Sequence, residues 1–163
     1  MAQQDVIQEF RQDHRQVRDG LLELSAALEK GQVAQASEIL GSLDKLVGPH
    51  FRYEEEALYP SLREFLGEYV DQLLSEHDDV IKTAKGCAEL LSKESLTEEE
   101  RKSTMKAARA LLVHVTNCDG LGILTEKLSQ SRLKELAQQL SAVRQAGVPL
   151  LEWAEKIRKK SAA

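Results

Sequence analysis

The sequence predicts an all-α protein, an up-down-up-down four-helix bundle with additional C-terminal helices. Its 163 residues are 42% hydrophobic but only 4% aromatic, with 9 glycines and 3 prolines, which is typical of one helical domain with a sizeable core. The apolar residues recur at steps of three, four and seven along successive segments, as they do in amphipathic helices. Short connections between these segments favour antiparallel neighbours.

Each helix is predicted from an apolar stripe and from the residues that should begin or end it. The stripes of the first four helices lie within residues 6–28, 33–58, 70–91 and 108–128. Gly31 should end the first helix, and Pro60 or Gly67 should end the second. Thr97 and Glu100 form a capping-box signature that should begin the fourth helix.

Two segments should disturb these helices. Pro49 removes a backbone hydrogen bond within the second helix and should kink it just before His50. The segment Asp119-Gly120-Leu121-Gly122 should bend or break the fourth helix, because each interior glycine costs about 1 kcal/mol relative to alanine.

We predict two regions, a four-helix bundle of residues 1–130 and a C-terminal helical extension of residues 131–163 that packs on it. Residues 129–131 can cap the first helix of the extension, and residues 147–149 should end it. A last short helix within residues 150–160 is amphipathic and has a basic end. For this helix, packing across the bundle is favoured over a partner-binding surface.

Charge and composition argue against several classes of function. The net charge is −5, and no block rich in lysine and arginine precedes residues 156–160, which argues against nucleic acid as the partner. No apolar run approaches the roughly 20 residues that span a membrane, and Met1–Asp5 does not resemble a signal peptide. Cys87 and Cys118 are therefore expected to be reduced thiols of a cytoplasmic protein.

The histidines of the chain lie on the apolar stripes of four different helices. They are His14, His50, His77 and His114. Counted from the connecting turns of an up-down bundle, they fall within about 3 Å of a common height. One histidine on an apolar face is usually a hydrogen-bonded core residue, but four unpartnered imidazoles buried together would be costly. We therefore predict a metal site at this level, and imidazole with carboxylate suits iron, zinc or manganese.

Glu54 is the predicted carboxylate of the second helix, because it lies four residues after His50 on the same helical face. Glu55 and Glu56 should rotate away from this face and be solvated. Tyr53 could line the site or donate a hydrogen bond to it, but packing is the favoured role.

On the fourth helix, Asp119 and Cys118 are alternative ligands beside His114. Asp119 lies five residues further along, about 140° around the helix, so its short carboxylate must lean back to reach the site. Cys118 lies four residues further along and is better aligned. As a ligand it would favour zinc or a sulfur-bound iron, but a small core residue is the favoured role.

These motifs resemble those of the hemerythrin and hemerythrin-like (HHE cation-binding) family over roughly residues 5–128. The residues that carry the resemblance are His14, His50-x3-Glu54, Glu76-His77 and His114-x4-Asp119. The resemblance implies an up-down four-helix bundle around two non-haem irons. By this resemblance His14 and His50 bind one iron. His77 and His114 bind the other, and two carboxylates, Glu54 and Asp119, bridge the pair.

The sequence departs from the oxygen-carrying members of the family at Ile81, where they have a further histidine. Unless Glu76, Asp78 or Tyr53 replaces that ligand, the iron at His77 has one protein ligand fewer than in those members. The open positions favour binding of O2, NO or peroxide for sensing, redox signalling or iron handling over reversible oxygen carriage. A single iron or a zinc ion is the alternative.

Two other functions compete with this interpretation. An enzyme of the ferritin-like carboxylate class would carry Glu-x-x-His pairs. The residues three positions before the histidines are instead Arg11, Val47, Leu74 and Leu111, so a non-enzymatic role is favoured. The second competitor is a helical interaction module with a mononuclear or vestigial metal site and an unknown protein partner.

Overall fold

The computed structural model of the chain describes residues 5–159, which form helices and no strand. The helices are α1 (Val6–Glu29), α2 (Val33–Tyr53), α3 (Tyr59–Leu66), α4 (Tyr69–Leu91), α5 (Glu98–Asp119), α6 (Gly122–Thr125), α7 (Gln130–Ala146) and α8 (Leu150–Lys156). One π-helical turn, Glu54–Leu58, joins α2 to α3. Lys160 of the predicted basic end lies outside the described residues. Across the described range, no helix has the length and hydropathy that crossing a membrane requires.

The bundle has four arms, which are α1, α2 continued by α3, α4 and α5, and they pack side by side in a closed ring. Helix α1 packs against α2 and α5, and α4 packs against the same two helices. Helix α3 continues the α2 arm beyond the π turn and contacts α4. The predicted all-α bundle with additional C-terminal helices is confirmed.

Capping residues and glycines set the ends of the helices. The hydroxyl of Thr97 accepts a hydrogen bond from the Glu100 amide at 3.2 Å, and the Glu100 carboxylate accepts one from the Thr97 amide at 2.9 Å, so the capping box is confirmed. Gly31 follows α1 with a φ of 69°, and Gly67 ends α3 with a φ of 53°. Pro60 does not end the second arm, because it lies in the first turn of α3, where an amide hydrogen needs no partner.

The two predicted disturbances lie within α2 and at the end of α5. The kink at Pro49 stays a prediction. Helix α2 continues through Pro49, and its α geometry ends only at the π turn. There the Tyr59 amide donates to the Glu54 carbonyl, five residues back, so residues five apart lie on one side of the turn. The break predicted at Asp119-Gly120 is confirmed, since α5 ends at Asp119 and α6 begins at Gly122.

Helices α7 and α8 lie against the bundle. Gly147, with a φ of 60°, ends α7, and the chain then crosses α2 so closely that a Cβ at Gly48 would lie 2.1 Å from the carbonyl oxygen of Val148. Leu150 and Trp153 of α8 are buried in the same apolar cluster as α2. The division into residues 1–130 and 131–163 stays a prediction.

Candidate metal centre

Four histidines, one from each long helix, meet inside the bundle. They are His14 of α1, His50 of α2, His77 of α4 and His114 of α5. The Nε2 atoms of His14 and His50 lie 3.1 Å apart, and the ring centroids of His77 and His114 lie 5.1 Å apart. This histidine layer lies between two clusters of buried apolar side chains, so hydrocarbon rather than water surrounds the imidazoles.

Glu54 lies between the two histidine pairs. Its Oε1 atom is 3.4 Å from Nε2 of His50, and its Oε2 atom is 3.0 Å from Nε2 of His77. The side chain is 0% exposed, yet neither oxygen has a partner with hydrogen-bond geometry among the described residues. Burying a carboxylate is costly unless its charge is balanced. Protons on the ring nitrogens of His50 and His77, or a cation held between those nitrogens and Glu54, would balance it.

On its outer side, each imidazole contacts a carboxylate through Nδ1. The pairs are His14–Asp119 at 3.2 Å, His50–Asp13 at 3.1 Å, His77–Glu55 at 2.9 Å and His114–Glu76 at 3.0 Å. In every pair the carboxylate comes from a different helical element than the histidine. A carboxylate that accepts the Nδ1–H proton leaves the Nε2 lone pair facing the interior, which is how metal-binding histidines are oriented.

The inward donor atoms form two groups that share Glu54. The first half-site comprises His14, His50 and Glu54, and the second half-site comprises Glu54, His77, His114 and Cys118. Within each group, one donor atom from every residue lies within 4.8 Å of all the others. Nitrogen, oxygen and sulfur donors suit transition metals, whereas calcium requires oxygen alone. These residues therefore fit two neighbouring cations.

Residues 5–117 match the family model for the hemerythrin HHE cation binding domain. The chain belongs to this family. The match includes the four histidines and Glu54 of the HHE bundle, and it ends before Cys118, Asp119 and the C-terminal extension. Comparisons with curated proteins and with solved structures give no match.

Without a cation, the imidazoles of the HHE bundle differ in charge. Burial, and then the charge on His50, lower the pKa of His14 to about 4. Burial also opposes a charge on His50, but the Glu54 and Asp13 carboxylates together outweigh it and raise the pKa of His50 to about 10. In the second half-site, burial and the charge on His77 lower the pKa of His114. The pKa of His77 is raised, because its two carboxylate neighbours outweigh burial.

Glu54 stays ionised between His50 and His77. Burial would raise the pKa of Glu54, but these two imidazoles hold it well below its usual range. In the first half-site, His50 is charged at neutral pH and His14 is neutral. A cation that binds there displaces the proton of His50.

Cys118 and Tyr59 distinguish the second half-site of the HHE bundle. The Cys118 Sγ atom lies 3.4 Å from Nε2 of His114, and the Tyr59 hydroxyl lies 3.0 Å from Nε2 of His77. Burial and the Glu54 carboxylate raise the pKa of both the thiol and the phenol, so both are neutral without a cation. A bound cation would favour the thiolate of Cys118, since metal coordination deprotonates thiols.

Other residues named from the sequence lie outside the two groups. Asp119 bonds to the outer nitrogen of His14, with a side chain 45% exposed, because five residues along α5 turn its carboxylate toward α1 rather than the interior. The structure therefore does not place it between the half-sites. Tyr53 packs beside Phe10, and Asp78 pairs with Arg158. Neither belongs to a donor group.

The prediction that Glu55 and Glu56 are solvated is confirmed for Glu56 and wrong for Glu55. Glu56 is 48% exposed and pairs with Arg52 at the surface. The Glu55 side chain is only 10% exposed, because α4 and the segment after α8 cover its side of the helix. Both the His77 ring and Arg158 contact it.

Sequence reasoning missed the contacts of Asp13 and Tyr59. The partner of Asp13, His50, is 37 residues away along the chain, so only helix packing brings them together. Tyr59 is five residues from Glu54, a spacing that faces away in an α-helix, and only the π turn aligns the two. No signal in the sequence marks that turn.

An apolar cavity of about 230 Å³ opens onto the histidine layer. His14, His50 and His114 line it together with aliphatic side chains such as Leu21 and Val80. A cavity with this lining admits small uncharged molecules and disfavours ions.

Proposed function

We propose that this HHE protein is a non-haem di-iron protein that binds O2 or a related small ligand, NO or peroxide, for sensing, redox or iron handling. One observation carries the proposal: inward Nε2 atoms of oriented histidines surround a buried carboxylate without hydrogen-bond partners. Metal-binding histidines usually donate their other ring nitrogen to a carboxylate in this way, which supports the proposal. Iron would supply the electrons that O2 accepts when it binds as a reduced ligand, and it also coordinates NO and peroxide.

Some residues would bind the irons, and others would orient those ligands. His14 and His50 would hold one iron and His77 and His114 the other, and Glu54 belongs to both donor groups. The outer carboxylates keep each ring in the tautomer that presents Nε2. Hydrocarbon on both sides of the histidine layer excludes water from the centre.

The ligand is proposed from the cavity and from Tyr59. The apolar cavity supports a small uncharged molecule, because an ion would lose its hydration there. The buried Tyr59 hydroxyl lies at the second half-site, where it can donate a hydrogen bond to such a molecule. Ile81, which packs against the core, stands at the position beside His77 where a further histidine would otherwise lie.

Metal analysis and visible spectroscopy test the proposal. We expect protein purified from iron-supplemented cells to hold two irons per chain and to show a charge-transfer band that disappears on reduction. Addition of O2 or NO to the reduced protein should produce a new spectrum. A preparation with less than one metal per chain, or with a colourless metal alone, would contradict the di-iron assignment.

A second candidate is a helical module with a single zinc or iron. The second half-site favours it, since two imidazoles, one carboxylate and one thiol are four donors of the kind that bind zinc. A preparation that holds one zinc per chain, and loses it on Cys118→Ser substitution, would support this alternative.

Two buried free thiols suit a reducing compartment, so we propose a cytoplasmic location for the protein.

A further inference from the structure

Two arginines of the C-terminal extension reach the outer carboxylates of the metal centre. Arg144 of α7 donates to Oδ1 of Asp13 at 2.6 Å and also pairs with Glu9. Arg158, just after α8, donates to the two carboxylate oxygens of Glu55 at 2.8 and 3.0 Å. Both arginines lie beyond residues 5–117, the part of the chain that matches the family.

Each arginine therefore ends a three-residue chain that leads to a candidate ligand. Arg144 holds one oxygen of Asp13, and the other oxygen contacts Nδ1 of His50 at 3.1 Å. The second chain runs from Arg158 through Glu55 to Nδ1 of His77.

These chains select one histidine from each half-site. His50 and His77 are the two whose Nε2 atoms face the oxygens of Glu54. The outer carboxylates of the other two histidines, Asp119 and Glu76, have no arginine partner among the described residues. The extension thus acts on the pair of imidazoles next to the shared carboxylate.

The Arg158 contact is shielded from water. The side chains of Arg158 and Glu55 are each 10% exposed, and the guanidinium lies 5.8 Å from the ring of the buried Trp153. Paired contacts between a guanidinium and a carboxylate fix orientation as well as distance, and a lysine cannot reproduce them. Docking of α8 therefore determines where Glu55, and through it the His77 ring, is held.

We infer that the C-terminal extension is part of the metal centre: Arg144 and Arg158 are positioning residues that set the affinity and reduction potential of the bound cations. The inference rests on the proposed metal binding but not on the identity of the metal. Removing either arginine leaves a carboxylate that is free to move and no longer neutralised. Loss of a carboxylate that orients a ligand histidine weakens metal binding about 10- to 100-fold, so loss of the arginine that holds this carboxylate should weaken it by up to that amount. The added negative charge should favour the oxidised metal.

Cobalt(II) titration of the metal-free full-length chain is the test, because its spectrum reports ligand geometry without requiring iron or redox chemistry. We expect Arg158→Met and Arg144→Met each to weaken cobalt binding by about tenfold, the lower end of the range for a carboxylate that orients a ligand, and to alter its visible bands. Arg158→Lys should lie between Arg158→Met and the unmodified chain. In iron-loaded protein, both methionine variants should have a lower midpoint potential.

Arg101→Met is the matched control. Arg101 also joins two parts of the fold, donating to the carbonyl oxygen of Glu29 at 3.1 Å, but it contacts neither half-site. It should keep the affinity and the spectrum of the unmodified chain. Circular dichroism of the metal-free variants identifies any that fail to fold.

A double-mutant cycle with Glu55→Gln separates positioning from general stability. If Arg158 acts through Glu55, the two substitutions together should weaken cobalt binding little more than Glu55→Gln alone. Additive losses, or a folded Arg158→Met variant with unchanged affinity and spectrum, would overturn the inference. Tight cobalt binding by a chain that takes up no iron would contradict the di-iron proposal and leave this test intact.

Discussion

The two half-sites share Glu54 but are built from different kinds of contact. In the first, His14 and His50 are the other donors found among residues 5–159. His50 reaches Glu54 through ordinary four-residue helical spacing. The second half-site adds Cys118, and its residues come from helices that are distant along the chain. Its Tyr59 contact exists only because a π turn follows α2.

Under the proposed function, the two half-sites would have different tasks. The first half-site has few donors and is packed against Phe10, whose ring stacks on His50 with centroids 5.2 Å apart. It is suited to holding a cation. The second half-site also has a thiol and a phenol, and under the proposed function these groups would respond to a bound ligand. Four experiments test the contrast between the half-sites.

The largest effect is expected from Glu54→Gln, which removes the shared carboxylate. Both half-sites should lose their cation, so the metal content should fall from two per chain to below one. The metal-free variant should also be less stable, by about 3–5 kcal/mol, because His50 and His77 lose their buried counter-ion. Metal analysis and thermal denaturation measure both effects.

Glu56→Gln is the control for that experiment, since it changes a neighbouring but exposed carboxylate. It should retain two metals per chain. Equal losses in the two variants would mean that Glu54 has no special role.

The next largest effect is expected from His14→Ala, which should empty the first half-site alone. One metal per chain should remain, bound by His77, His114, Cys118 and Glu54. The converse variant, His114→Ala, should leave one metal with a spectrum that lacks any sulfur contribution. Loss of both metals in either variant would show that the half-sites bind only as a pair.

A smaller, graded effect is expected from pH. The pKa of His50 is raised to about 10, so at neutral pH a cation must displace its proton, whereas His14, with a pKa of about 4, is already neutral. Affinity at the first half-site should therefore rise about tenfold per pH unit between pH 6 and 9. Calorimetry in buffers with different heats of ionisation should detect one proton released there, and a pH-independent affinity would contradict the assigned charges.

The smallest effect is expected from Cys118→Ser. Since oxygen is a harder donor than sulfur, affinity at the second half-site should fall about tenfold for zinc and less for iron. The first half-site should be unchanged. Cobalt spectra would detect the loss of a thiolate contribution, and an unchanged spectrum would mean that Cys118 is a core residue only.

Local rules were enough to predict the bundle and much of its centre from the sequence. The capping box at Thr97, the end of α1 before Gly31 and the break after Asp119 follow from side-chain chemistry within a few residues. The convergence of four histidines follows from helical periodicity and short connections. So does the inward position of Glu54 beside His50, because four residues are close to one helical turn.

Tertiary structure alone decided what surrounds those donors. A π turn inserts one residue into the register of α2, and no residue pattern marks it, so the place of Tyr59 could not be read from helical spacing. The burial of Glu55, the outward position of Asp119 and the pairing of Asp13 with His50 depend on which helices lie side by side. Such contacts join residues far apart in the chain, and their geometry is set by how side chains interlock between helices, which local periodicity does not encode.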